Sequence, residues 1–252
     1  MTGSRRRRWR LAVHDCLAST SDFCRERALS GEPDGLAVLA RRQTGGRGTA
    51  GRSWQSPAGN LYLSVLLRPV EPARTAAQWS LLAAVALVET LAALLPDPQA
   101  LALKWPNDVL LHGRKLAGIL SETAAAADGM VDFLVIGFGV NLAVAPPVPD
   151  RPTACLAERV PPPAPEAFAR ALLDRLDRWQ AAREAEGFAP VRTAWLAHGP
   201  AQGAPIVLRS GATTREGGFA GLAADGSLLL ATAGGIGAFA AGEVLAPAAG
   251  GA

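Results

Sequence analysis

A glycine-rich loop between two strand-like segments constrains the fold of this chain more than any other feature. Residues 45–53 read GGRGTAGRS, and they satisfy two nucleotide-binding patterns at once. Gly46, Gly48 and Gly51 form G-x-G-x-x-G, whereas Gly46, Gly51, Arg52 and Ser53 form a P-loop in which arginine replaces the lysine. Both patterns require a helix that begins directly after the loop and points its N-terminus at phosphate.

The sequence after the loop does not predict such a helix. Pro57, Gly59 and Asn60 are turn residues, and Leu61–Leu67 is a β-prone run. Residues 36–39, before the loop, also read as a strand. We therefore predict a strand–loop–strand unit in which Arg47, Arg52 and backbone N–H groups freed by the glycines would hold an anion. A glycine-rich hairpin with solvated arginines is the alternative.

Helices and hairpins alternate along the rest of the chain. A helix is predicted after the capping run at residues 19–22, ending near Gly31, and further helices at residues 76–95 and 165–184. Further strands are predicted at residues 101–105, 108–111, 115–120 and 131–139. This mixture indicates an α+β fold with a mixed or mainly antiparallel sheet covered on one face by helices.

Three segments are expected from the pattern of breaks. Residues 1–14 are interpreted as a basic, disordered N-terminus, residues 15–199 as the catalytic domain, and residues 200–252 as a small β-barrel domain. The boundary is placed at residues 198–200 (HGP), because short strands split by glycines follow at residues 206–209, 213–220, 227–231 and 236–240. The proline-rich segments at residues 144–152 and 160–165 are interpreted as loops, since helical sequence resumes after them.

Composition excludes several classes of protein. The formal net charge is +3, and the five arginines among the first ten residues supply five positive charges, so the remainder carries −2. An apolar core of a secretory signal is missing after the arginines, because His14 and Asp15 interrupt it; we expect a cytoplasmic protein without a membrane span. The three cysteines and three histidines lack the spacing of a zinc site, a disulfide framework or a histidine-centred hydrolase.

Five motifs carry a resemblance to a known family. They are QTGGRGTAGRSW at residues 43–54, GNLYLS at 59–64, KWPND at 104–108, RKLAGIL at 114–120 and GFGVN at 137–141. In this order they resemble the signature of biotin protein ligases. The resemblance covers residues 19–141, and more loosely the C-terminal strands, where Gly242-Glu243-Val244 is similar to the family's closing strand. It implies a class II synthetase-like biotin/lipoate ligase fold with an SH3-like C-terminal barrel.

The resemblance also implies the reaction. Biotin and ATP with Mg²⁺ would give biotinyl-5′-AMP and pyrophosphate, and a lysine of a biotin carboxyl carrier domain would then take the biotin and release AMP. The first step brings together a carboxylate and an α-phosphate, two anions that repel each other, so it requires positive charge beside them. Arg47, Arg52, Lys104 and Lys115 are the candidates.

Matching the family's motifs residue by residue gives the expected site. Lys115 and Arg47 are the expected catalytic residues, and Asp108 is the expected Mg²⁺ ligand. The expected biotin-binding residues are Ser19, Thr20, Ser21, Gln43, Gly46, Arg47, Gly48, Thr49, Lys115 and Gly118. The expected nucleotide-binding residues are Arg47, Arg52, Trp54, Lys104, Asn107, Asp108 and Asn141. Within KWPND, Trp105-Pro106 is a candidate for core packing and a fixed turn, without a direct chemical role.

Thr49 is a departure from the pattern, because many bacterial relatives have a second arginine there. A guanidinium clamps a phosphate with two hydrogen bonds, whereas a hydroxyl offers one neutral bond. Weaker retention of the adenylate is therefore expected, unless Arg41 or Arg42 swings over the site and compensates.

Three other functions remain open at this point. A lipoate ligase or octanoyl transferase would share the fold, although KWPND and RKLAG favour biotin. A ligase that also acts as a DNA-binding repressor would need an N-terminal helix-turn-helix, and only 18 residues precede Ser19, so no specific DNA binding is expected. The third is a binder of biotin or nucleotide without catalysis. The identity of the acceptor carboxylase and the oligomeric state, a homodimer included, are not fixed by the sequence.

Overall fold

A computed structural model describes residues 9–149 and 151–245, so Arg5 to Arg8 of the basic N-terminus lie outside the described residues. The strands are β1 (Arg10–His14), β2 (Leu36–Ala40), β3 (Leu61–Leu67), β4 (Leu101–Lys104), β5 (Asp108–Leu111), β6 (Arg114–Ala125), β7 (Val131–Val140), β8 (Pro205–Ser210), β9 (Thr213–Leu222), β10 (Leu228–Thr232), β11 (Gly235–Phe239) and β12 (Glu243–Leu245). The helices are α1 (Thr20–Leu29), α2 (Ala77–Ala92), α3 (Pro165–Glu186) and α4 (Ala189–His198).

The first seven strands form one mixed sheet in the order β1-β2-β3-β7-β6-β5-β4. Only β1 and β2 are parallel, and α1 is the crossover that connects them; the remaining neighbours are antiparallel. The predicted α+β class with a mixed sheet covered by helices is therefore confirmed.

Helices cover the sheet on both faces, so the prediction of helices on one face only was wrong. Along β2, Val38 packs in a small cluster with Cys24 and Ala28 of α1, whereas Leu39 belongs to the large core that includes α2, α3 and α4. This alternation follows from the two-residue period of a strand. The segment Ala73–Ala92 is long and apolar enough to cross a membrane, but most of it is buried inside the protein.

The remaining strands form a separate antiparallel sheet in the order β11-β10-β9-β8-β12. It is consistent with the expected SH3-like domain. The ring of Phe219 on β9 lies 6.4 Å from that of Trp195 on α4, and both side chains are fully buried. The two sheets therefore share one continuous core.

The disordered N-terminus was a wrong prediction for residues 10–14, which form β1. Arg10 is not a solvated tail cation, because its guanidinium donates to the carbonyls of Asp34 (2.9 Å) and Pro33 (2.8 Å) and pairs with Glu32. Leu11 packs against the core. Five residues give too short a pattern to separate a strand from a tail, and the pairing with β2 decides the outcome. The short helix α4 was also missed.

Candidate active site

The candidate site lies on the sheet face that α1 partly covers. Along β7, Phe133 and Val135 pack against α1, and the next residues on the same face are Gly137 and Gly139. The face thus changes from an apolar surface under a helix to a strip without side chains. This strip leaves room for the side chains of Trp54 and Ser21 to approach the sheet.

Close approach, rather than backbone conformation, explains these glycines. A Cβ atom on Gly139 would lie 2.5 Å from the indole of Trp54, and one on Gly137 would lie 2.5 Å from Ser21 Oγ. Gly118 on β6 faces the same indole, at 3.1 Å. The buried indole Nε1 of Trp54 has no hydrogen-bond partner among the described residues. An acceptor on a ligand, or a shift of the ring, would satisfy it.

The glycine-rich loop is a closed hairpin. Gly48 N donates to Arg52 O (2.7 Å) and Trp54 N donates to Gly46 O (2.8 Å), around a 3₁₀ turn at Thr49–Gly51. No helix follows the loop, as predicted, and β3 comes next. The expectation that the glycines free these N–H groups for an anion is wrong for Gly48, Arg52 and Trp54, because backbone carbonyls already accept from them.

The loop, α1, β6, β7 and the proline-rich segment after β7 enclose a cavity of about 190 Å³. Its walls contain thirteen of the predicted site residues. They are Ser19, Thr20, Ser21, Gln43, Arg47, Gly48, Thr49, Arg52, Trp54, Asn107, Lys115, Gly118 and Asn141. Residues that the sequence analysis did not single out also line it, among them Phe138, Val148 and Arg151.

Hydroxyl and amide groups form one part of the wall. Ser19 caps α1, since its side chain accepts from Asp22 N. The next two residues, Thr20 and Ser21, are buried at the start of the helix. Gln43 Oε1 accepts from both Thr20 N (2.8 Å) and Thr20 Oγ1 (3.1 Å). These groups suit a neutral polar ring.

A β-bulge explains how Lys115 reaches the cavity. Val109 of β5 pairs with Ala117, but Leu110 pairs with Lys115, so β6 carries one extra residue at this point. Leu116 and Ala117 both lie in the core, which breaks the alternation and leaves Lys115 on the same face as Gly118. The backbone of Lys115 also pairs with residues 152 and 154, which ties the proline-rich segment to β6.

Four cations line the cavity, and no Asp or Glu of the described residues does. Arg47 is one of them, and it is held from behind by Glu122 of β6 (2.9 and 2.7 Å) and Asp22 of α1 (2.8 Å). The hydrogen bonds to Glu122 are the main reason that the pKa of Arg47 is raised. The wall is therefore positively charged, although each charge has a partner outside it.

A carboxylate of the C-terminal sheet holds two more of these cations. Glu243 on β12 accepts from Arg52 of the glycine-rich loop (2.9 Å) and from Arg151 of the proline-rich segment, and it also pairs with Arg209 on β8 (2.5 Å). Burial of the Glu243 carboxyl raises its pKa, but the hydrogen bonds from Arg151 and Arg209 and the charges of Arg151 and Arg52 outweigh that effect and lower it to about 2. Glu243 thus joins the two loops that border the cavity.

Comparison with known proteins decides the family of the chain. Residues 13–141 match the model of the biotin/lipoate A/B protein ligase family. The chain belongs to this family. The biotin–[acetyl-CoA-carboxylase] ligase of Paracoccus denitrificans is 43% identical over 199 residues, which are 77% of this chain and 82% of that protein.

Solved structures of ligases in this family have the same fold. The biotin protein ligase of Aquifex aeolicus in complex with biotin and ATP superposes with a TM-score of 0.78 at 26% identity, covering 93% of this chain and 97% of that one. The biotin protein ligase of Leishmania major in complex with biotinyl-5-AMP has a TM-score of 0.63 at 26% identity, with 94% and 98% covered.

Three residues expected from the family's motifs do not line the cavity. Gly46 packs against the other strand of the glycine-rich hairpin, where a Cβ atom would be 2.4 Å from Trp54 O. Asp108 is a buried carboxylate between two ammonium groups, with Lys115 Nζ at 2.5 Å and Lys104 Nζ at 3.3 Å. Lys104 therefore reaches Asp108 and not the cavity wall.

These contacts place Asp108 against two ammonium groups, and its role as a magnesium ligand stays a sequence-based prediction. A divalent cation there would have to displace an ammonium group, and Asp108 does not reach the cavity wall. Within residues 9–149 and 151–245, no group of three His, Cys, Asp or Glu side chains could hold a metal ion. The position of Asp108 fits a residue that orients Lys115.

Both asparagines in the cavity wall also serve the local structure. Asn107 Nδ2 donates to Ile119 O (2.6 Å), and Asn141 Nδ2 donates to Ala154 O (3.1 Å). The first bond pins the loop after β4 to β6, and the second pins the proline-rich segment to β7. Their amides are therefore already engaged, and any contact with a nucleotide would be an additional one.

Proposed function

We propose that this protein is an ATP-dependent biotin protein ligase that activates biotin to biotinyl-5′-AMP and transfers it to a lysine of a biotin carboxyl carrier domain. One observation carries the proposal: a single cavity joins a hydroxyl and amide wall to four cations with no carboxylate among the described lining residues. A neutral polar ring that carries an anionic chain, next to a nucleotide, requires this combination.

The polar wall favours biotin over the runner-up, lipoate or octanoate. Thr20, Ser21 and Gln43 already bond within the protein, but an apolar chain or a dithiolane would make no hydrogen bond to the acceptor sites that Thr20 and Ser21 still offer. Each such bond contributes about 0.5–1.5 kcal/mol. The ureido ring of biotin offers both donors and an acceptor.

Charge compensation gives the expected chemistry of the first step. A biotin carboxylate oxygen forms a bond to the α-phosphorus of ATP, and the bond to the β-phosphate oxygen breaks, so that pyrophosphate leaves. Lys115 and Arg47 stand at the wall and would offset the two converging anions, with Arg52 and Arg151 beside the phosphates. Asp108 and Glu122 hold Lys115 and Arg47 in place from behind the wall, which reduces the reorganisation needed when the anions arrive.

The second step is acyl transfer. The amine of the acceptor lysine attacks the carbonyl carbon of the mixed anhydride, AMP leaves with the anhydride oxygen, and the nitrogen loses a proton. Mg²⁺ that enters with ATP would be held by phosphate oxygens and water, since Asp108 is already paired with two lysines. The proposal includes a cytoplasmic location, where ATP and the carrier domain are available. It leaves the oligomeric state open, and light scattering would detect a homodimer.

Mass spectrometry of a carrier domain tests the proposal. The protein is incubated with biotin, ATP and Mg²⁺ and an acceptor domain, and addition of one biotin to a single lysine is the expected result. Parallel reactions with lipoate separate the two substrates, and omission of the acceptor separates a ligase from a binder, because a ligase still releases pyrophosphate. Arg25→Ala, which alters an exposed cation of α1 away from the cavity, is a control that should keep full activity. Transfer of lipoate instead of biotin, or no pyrophosphate at all, would overturn the proposal.

A further inference from the structure

A chain of hydrogen bonds runs behind the polar wall and involves a residue that does not line the cavity. Ser64 on β3 is completely buried. Its Oγ lies 2.8 Å from Thr20 Oγ1 and 3.0 Å from Ser21 Oγ, so it contacts two of the hydroxyl side chains of the wall. Gln43 Nε2 continues the chain to Ser56 Oγ (3.0 Å).

The direction of this chain is fixed at Gln43. The backbone N–H of Thr20 can only donate, so the Gln43 atom that faces it at 2.8 Å must be the amide oxygen. The amide nitrogen then faces Ser56, whose own hydroxyl donates to Trp54 O (3.0 Å). The orientation of the amide therefore follows from backbone groups at both ends.

The three hydroxyl hydrogens follow from that orientation. Gln43 Oε1 accepts only, so the hydroxyl of Thr20 donates its single hydrogen to it. The contact between Ser64 and Thr20 then requires the hydrogen of Ser64, and the contact between Ser21 and Ser64 requires the hydrogen of Ser21. The hydroxyl hydrogens of Thr20 and Ser21 are therefore used within this chain of hydrogen bonds and are not offered to the cavity.

We propose that Ser64 is a positioning residue that sets the hydrogen-bond polarity of the cavity wall, so that Ser21 and Thr20 present lone pairs and select a ligand ring with N–H donors. This inference rests on the proposed function, in which the ring is the cyclic urea of biotin. It adds that N–H groups, rather than the carbonyl oxygen, face these two hydroxyls. A ring with an oxygen in place of one N–H would bring two acceptors together.

Equilibrium binding of biotin and of two cyclic carbamate analogues, each with one ring N–H replaced by oxygen, tests this. The native protein is expected to prefer biotin by at least about tenfold over one of the two analogues. In Ser64→Ala, Ser21 loses its acceptor and can turn its hydrogen towards the ligand. The preference should then shrink by about 3- to 10-fold, the size of one neutral hydrogen bond. The KM for biotin should rise with little change in kcat, because the reacting carboxylate is not affected.

Two further variants separate this role from a structural one. Thr90→Ala removes a buried hydroxyl that donates to Ala86 O (2.7 Å) in α2 and does not line the cavity, and it should keep the native preference. Ser64→Cys keeps the volume with a weaker donor and carries the test if Ser64→Ala does not fold; its preference must also shrink. Biotin binding with an unchanged preference in the Ser64 variants overturns this inference alone. If the native protein does not bind biotin, the proposed function fails, and this inference fails with it.

Discussion

The structure predicts the effect of replacing Glu243 in more detail than that of any other substitution. Among residues 9–149 and 151–245, its carboxylate is the only acidic group paired with Arg52, Arg151 and Arg209. In Glu243→Gln, the amide oxygen can still accept a hydrogen bond, but the three guanidinium groups lose this shared negative charge. We expect a folded protein with lower stability at neutral pH.

The magnitude follows from the pKa of this carboxyl. Its pKa is about 2 in the folded protein against an ordinary 4.5, and each unit corresponds to about 1.4 kcal/mol, which sets an upper limit of roughly 3 kcal/mol. The guanidinium side chains are 31 to 49% exposed, so solvent screening reduces the expected loss to about 1–2 kcal/mol. Because the folded pKa is the lower one, the stabilisation is complete above pH 4.5 and disappears as the pH falls towards 2.

Urea unfolding followed by tryptophan fluorescence at pH 7, 4 and 3 measures this effect. The difference in the free energy of unfolding between the native protein and Glu243→Gln should be largest at pH 7 and should shrink at pH 3. Glu26→Gln, which alters an exposed carboxylate of α1, is the matched control and should show no such trend. Equal stability at pH 7, or a difference that does not change between pH 7 and pH 3, would refute the reasoning.

Three other predictions concern the reaction and its partners. Lys115→Ala should stay folded, because Lys104 still faces Asp108, but should lose about 2–4 kcal/mol of transition-state stabilisation in adenylate formation; near-normal pyrophosphate release at saturating ATP would contradict this. Thr49→Arg should release biotinyl-5′-AMP more slowly than the native protein and label an unrelated carrier protein less, whereas identical dissociation rates would show that another group holds the phosphate. The N-terminal arginines should bind DNA weakly and without sequence preference, and filter binding should show loss of the complex by about 200 mM salt; operator-specific binding that survives this salt would count against the prediction.

The structure shows which cations are placed to compensate for the missing arginine at position 49. Arg41 is engaged with Asp15 and Glu166 on the surface, and neither Arg41 nor Arg42 lines the cavity. The additional cation in the wall is Arg151, from the proline-rich segment. Thr49 Oγ1 itself accepts from Arg52 Nη2 (2.8 Å), so the hydroxyl orients a neighbouring guanidinium.

Local patterns in the sequence were enough to predict most of the elements. Leu61–Leu67 was predicted with the bounds that β3 has, and α1 begins within the predicted capping run at residues 19–22, with Ser19 as its cap. The loop at residues 45–53 could be assigned to a strand–loop–strand unit because turn residues follow it. These features depend on neighbours in the chain, which a sequence displays directly.

Contacts between distant residues could not be predicted in the same way. Arg52 and Glu243 are 191 positions apart, and the sequence offered no reason to pair them. Ser64 belonged to the GNLYLS motif and to a β-prone run, but neither gave it a role, because its contacts with Thr20 and Ser21 of α1 appear only in the fold. The bulge that turns Lys115 towards the cavity depends on its pairing with Leu110 of β5, so the family's motif indicated the residue but not the means of placing it.

The glycine strip on β6 and β7 separates the requirements of folding from those of ligand binding. Gly118, Gly137 and Gly139 have ordinary backbone conformations, so alanine could take their place in the strands without backbone strain. The added methyl group would nevertheless meet Trp54, Lys115 or Ser21 inside the site. Alanine at one of these positions would therefore disturb the ligand site while the strands keep their pairing. A homologue that has lost the activity but kept the fold should be recognised first by a side chain at one of these three positions.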